Sequence, residues 1–111
     1  MLTRFEQLPK GMKREIRQLA GAMHERLLAA ELCKLDGEFA RWRRKELDAF
    51  ELAAAVHRFH EGPPRRLLNT FNTNHIEVLI FKVREGLERG LLREEEISEE
   101  VIELLAALPV F

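Results

Sequence analysis

At 111 residues, 46% hydrophobic and 33% charged, the chain has the composition of one small folded domain and not of a disordered segment. Its single cysteine excludes an intrachain disulfide, and a net charge of −1 gives no bulk attraction for polyanions. No apolar stretch approaches the roughly 18 residues of a membrane span, and Arg4 and Glu6 interrupt any signal-like run, so a cytoplasmic protein without a membrane partner is expected.

The first segment reads as helix from around Pro9 to about Lys45. Met12, Ile16, Leu19, Met23, Leu27 and Ala30 recur at three-and-four spacing and mark one face. Beyond Ala30 the stripe moves to Leu28, Leu32, Leu35, Phe39 and Trp42, a second face rotated by about 120°. Heptad drift amounts to about 20° per seven residues, too little to account for this. Either the helix meets different neighbours along its length, or Asp36-Gly37 interrupts it. About 34 unbroken residues would span about 50 Å, whereas a compact domain of this size has a radius of gyration of about 13 Å. The stripe of Ile16, Leu19, Met23 and Leu27 would then overhang and need a second chain. This predicts a homodimer with those four residues in its interface. Cys33, with nothing beside it to activate a thiolate, is expected as packing material.

Arg41-Trp42-Arg43-Arg44-Lys45 concentrates positive charge at the end of this helix. With Arg65-Arg66 it could contact phosphates while Trp42 stacks on a base. The simpler account is a buried Trp flanked by cations that suit a helix C-terminus. Glu46, Asp48 and Glu51 blunt the positive field, and a pI of about 6.4 argues against a nucleic-acid partner. Residues 1–66 hold 14 Lys/Arg against 10 Asp/Glu, and residues 67–111 hold 4 against 9. That asymmetry favours attraction between subunits at least as well as attraction to nucleic acid.

A second helix begins at Asp48, whose pairing with Glu51 matches a capping box, and ends at Gly62. It carries His57 and His60. On a helical wheel His60 falls among Ala49, Ala53 and Val56, which predicts the deeper burial of the two, while His57 lies beside Phe50 at the arc's edge. Glu61 follows His57 by one turn. His57, His60 and Glu61 are the candidate ligands for a divalent metal, a site that His24, Glu25 or His75 would have to complete. The H-x-x-H-E order lacks the spacing of helical zinc hydrolases. Gly62-Pro63-Pro64 makes a stiff corner before Arg65 and Arg66. Arg66 is expected to meet Glu61, the last-turn carbonyls or a bound anion. His57, His60, Glu61, Arg65 and Arg66 therefore form the candidate functional corner.

Pro64 opens a short third helix through Asn69 or Phe71. Asn72-Thr73-Asn74 is a turn, with Asn74 and Glu77 predicted to cap a fourth helix that buries Ile76, Leu79, Ile80, Val83 and Leu87 and stops at Gly90. Ile-Glu-Val-Leu-Ile-Phe has strand propensity, but the period and cap favour helix. Ser98 caps a last helix packed through Val101, Ile102, Leu104, Leu105 and Leu108. Glu94-Glu95-Glu96 and Glu99-Glu100 read as a solvated helix start.

Phe50-Glu51-Leu52, His57-x-Phe59-His60-x-Gly62, Arg66, Gly90-Leu91-Leu92 and Glu96-Ile97 together resemble the pattern of an uncharacterised family of small helical bacterial proteins of about this length. The resemblance covers most of the chain. It implies no activity, ligand or catalytic residue and directs interest to His57, His60 and Arg66. No Gly-rich phosphate loop or Ser/His/Asp arrangement is present, and tyrosine is absent. The expectation is an all-α protein, one domain over residues 1–111, built as an irregular bundle of four to five helices with a long first helix. Its expected role is that of a non-catalytic, self-associating interaction or regulatory protein, a homodimer that also takes a protein partner. The alternatives are a metal-binding protein using His57, His60 and Glu61, and a nucleic-acid-associated regulator using Arg41–Lys45 with Arg65–Arg66.

Overall fold

The computed structural model describes Phe5 and residues 7–109. The helices are α1 (Lys10–Arg43), α2 (Ala49–Glu61), α3 (Pro63–Phe71), α4 (Ile76–Glu88) and α5 (Glu99–Ala106), with a 3-10 turn at Glu94–Glu96. No strand occurs among the described residues, and the fold is all-α. Contacts gather into two units: one joins the chain up to Met23 with Phe71 onward, and the other is His24–Thr70.

The long helix α1 runs unbroken through Asp36-Gly37. A lone glycine in a helix interior costs about 1 kcal/mol relative to alanine, which the strong helix formers around it absorb. Glu31–Lys34 at 3.2 Å and Glu38–Arg41 at 3.4 Å are one-turn ion pairs that support its second half. The helix ends in a Schellman turn. The Glu46 amide donates to the Arg41 carbonyl and the Lys45 amide to that of Trp42, both at 2.9 Å, with Lys45 at a φ of 65°. The predicted change of stripe has the first of its two explanations. The Ile16 face belongs to one unit, the Leu35 face to the other.

In the first unit Ile16, Leu19, Ala20 and Met23 of α1 pack with Ile76, Leu79, Ile80 and Val83 of α4 and with Val101 and Leu105 of α5. Ile16, Leu19 and Met23 are 0%, 6% and 2% exposed within their own chain. The stripe predicted to need a second chain is thus covered within its own chain, because α4 and α5 return onto it from more than 50 residues away. Leu27 is half-buried. The Ser98 hydroxyl accepts the Val101 amide at 3.3 Å, as its cap role requires, and the Ser98 amide donates to Glu15 of α1 at 2.8 Å. Arg84 donates to the Pro109 carbonyl at 2.7 Å and lies over the Phe81 ring. Gly90, at a φ of 78°, stops α4 as predicted. The start of α4 differs: its N-cap is His75, not Asn74, and no side chain caps it. The Thr73 hydroxyl accepts the His75 amide at 3.1 Å, a local turn that moves the helix start one residue on.

In the second unit the capping box forms as read. Asp48 accepts the Glu51 amide at 2.7 Å, and Glu51 accepts that of Asp48 at 3.2 Å. Gly62 separates α2 from α3, which opens at Pro63, one residue before the predicted start. The buried side chains of α2 are Leu52 and Ala55, with Phe59 half-buried. This inner face lies about 100° round the helix from the predicted arc of Ala49, Ala53, Val56 and His60. His60 is exposed, and so is His57. The wheel misled because α2 carries apolar residues on nearly every side and so has no unique inward direction.

Candidate functional site

The corner after α2 is built by Gly62-Pro63-Pro64. Proline suits the first turn of α3, and its fixed φ stiffens the junction. The Gly62 amide donates to the Phe59 carbonyl at 3.2 Å, and the Gly62 carbonyl accepts the Arg66 amide at 3.1 Å. A Cβ on Gly62 would lie 3.1 Å from the Arg58 carbonyl oxygen and 3.3 Å from Nη1 of Arg66. The glycine thus lets the Arg66 side chain lie across the turn. Thr70 donates its hydroxyl to the Arg66 carbonyl at 2.8 Å and steadies the next turn of α3.

Glu61 meets Arg65 at 3.6 Å, so the carboxylate predicted for Arg66 is taken by its neighbour at i+4. Arg66 instead lines a groove of about 350 Å³ between the second half of α1, α2 and the start of α3. Of the five predicted corner residues, Arg66 alone lines it. His57, His60, Glu61 and Arg65 lie outside, on exposed surface. Arg58, missed in the sequence, stands with Arg66 over the groove. Its one legible signal is its spacing of one turn from Glu61 and Gly62.

Among the described residues no three His, Cys, Asp or Glu side chains gather as a metal site, and His57, His60 and Glu61 are no exception. Neither His24 nor His75 is brought to them in such a group. Half of the basic run at the end of α1 is paired locally: Arg41 with Glu38 and Arg44 with Glu46. Trp42, expected buried, is 41% exposed, and Cys33, expected as packing, is an exposed free thiol.

The larger feature that sequence reasoning missed is apolar exposure. Phe50 is 87% exposed, Leu68 52%, Leu32 47% and Val56 38%. With Trp42, these belong to the unit His24–Thr70, whose buried apolar side chains among the described residues are Leu52 and Ala55. The excess of apolar positions in α2 over what one helix face can bury was the available signal.

No helix among the described residues is long and apolar enough to cross a membrane. No family model matches the chain, and no curated protein or solved structure matches it.

Proposed function

We propose that this is a small cytoplasmic, non-catalytic interaction protein that self-associates as a homodimer through the exposed face of α2. The observation carrying this reading is the imbalance of the unit His24–Thr70, which exposes Leu32, Trp42, Phe50, Val56 and Leu68 while burying Leu52 and Ala55. Fully burying one large apolar side chain is worth about 1.5–3 kcal/mol. Phe50 at 87% exposure forgoes nearly all of that in the free chain.

A second copy is the occupant that the surface fits. Ala49, Phe50, Ala53, Val56, His57 and His60 share the outer side of α2, a strip without Lys, Arg, Asp or Glu. Two copies can meet there without like-charge repulsion. The alanines permit close approach, and an antiparallel meeting sets Phe50 of one copy near the histidine end of the other. Such self-complementarity is what a two-fold interface requires.

Sedimentation or light scattering across micromolar concentrations is expected to show a dimer. Phe50→Glu and Val56→Glu are expected to give monomers with unchanged helical circular dichroism, since neither residue is in the buried core. A monomer throughout the range, or full dimerisation of both variants, overturns the reading.

A further inference from the structure

We propose that the groove beside the Gly62 corner binds a small amphipathic oxyanion: a carboxylate or phosphate head on a short apolar body. The site lies on the other side of α2 from the self-association face and does not depend on it. It is an open groove of about 350 Å³, room for a short-chain ligand lying along the surface. Leu35, Ala55, Phe59 and Pro63 give the groove an apolar lining, and the charged side chains at its edges are Glu31, Lys34, Glu38, Arg58 and Arg66.

The charges are not equivalent. Glu31 is held by Lys34 at 3.2 Å and Glu38 by Arg41 at 3.4 Å, so both carboxylates are already matched. Arg58 and Arg66 have no side-chain hydrogen bond or ion pair among the described residues. Two unmatched guanidinium groups lining one apolar groove suit an oxyanion, because a guanidinium presents parallel N–H donors that match carboxylate or phosphate oxygens. Arg66 is placed for this by the absence of a side chain at Gly62 and by the paired prolines that fix the corner. The stiff corner fixes the backbone from which the Arg66 side chain reaches the groove. An apolar body on Phe59 and Leu35 adds what a bare anion lacks.

The test follows amide chemical shifts of the intact chain with hexanoate, hexyl phosphate, 1-hexanol and inorganic phosphate at equal millimolar concentrations. Saturable shifts centred on residues 55–66 are expected with hexanoate or hexyl phosphate, and the stronger of the two identifies the head group. Much weaker shifts are expected with hexanol and with inorganic phosphate. Arg58→Gln and Arg66→Gln are each expected to weaken binding about tenfold. Arg58→Gln should leave the melting temperature unchanged, so a loosened corner in the Arg66 variant cannot imitate the result. Equal binding of hexanol, equal binding of inorganic phosphate, wild-type affinity in Arg58→Gln, or no saturable shift with either amphiphile each overturns the proposal.

Discussion

A Cβ on Gly86 would lie 2.6 Å from Sδ of Met23 and 2.8 Å from its Cε, closer than real Cβ contacts allow. Met23 is 2% exposed, so its thioether has little room to swing away. Gly37 has no atom within 4 Å of the same position. The same substitution should therefore have opposite signs at the two sites. Gly37→Ala gains helix propensity of up to about 1 kcal/mol. At Gly86 overpacking of about 1–3 kcal/mol outweighs that gain. Thermal melts are expected to rise for Gly37→Ala and fall for Gly86→Ala, and a rise for both would show that α1 and α4 can separate freely. The histidines make the same point about environment. Because His57 and His60 are exposed, their replacement removes no core atoms, and each should change stability by no more than about 0.5 kcal/mol.

At the scale of the element, two helices end in the same way with different residues. α4 uses Gly90 at a φ of 78°, and α1 uses Lys45 at 65°. A left-handed conformation brings the Cβ of an L-residue against the backbone, and glycine escapes that cost. Lys45→Gly is expected to stabilise the chain by about 0.5–1 kcal/mol in denaturant unfolding. A loss of stability would mean that the lysine side chain holds the turn by a contact worth more than the strain. The caps at Asp48 and Ser98 were legible because capping is a contact between residues three apart. The start of α4 at His75 was not, since no side chain caps it and the Thr73 hydroxyl accepts the His75 amide in a local turn.

Across the whole molecule, burial is unequally divided. α4 buries Ile76, Leu79, Ile80 and Val83, whereas α2 buries Leu52 and Ala55. Opening free energy follows the density of buried apolar contacts. Hydrogen exchange in dilute solution is expected to be slowest in α4 and orders of magnitude faster in α2 and α3. Raising the protein concentration should then slow α2 selectively, if its outer face is covered by a second copy. Protection of α2 equal to that of α4 in a dilute monomer would show that the unit His24–Thr70 is stable without a partner.

The amino-acid sequence by itself determined the helices and most of their ends. A period near 3.6, a capping residue and a glycine stop all act within a few positions, which is why α4 could be told from a strand despite Ile-Glu-Val-Leu-Ile-Phe. Its inward face was legible too, because Ile76, Leu79, Ile80 and Val83 recur at helical spacing. What each face of α1 and α2 meets was decided by tertiary structure. The Ile16, Leu19 and Met23 stripe looked unpartnered along the chain, yet α4 and α5 return from more than 50 residues away to cover it. On α2 the apolar residues surround the axis, so the direction of burial depends on where the neighbouring helices lie. The groove at Arg58 and Arg66 has the same origin: three helices have to converge before two arginines on separate helices share one hollow. Local periodicity specifies a helix and its stripes, but only the packing of distant segments selects which stripe is covered and which is left for a partner.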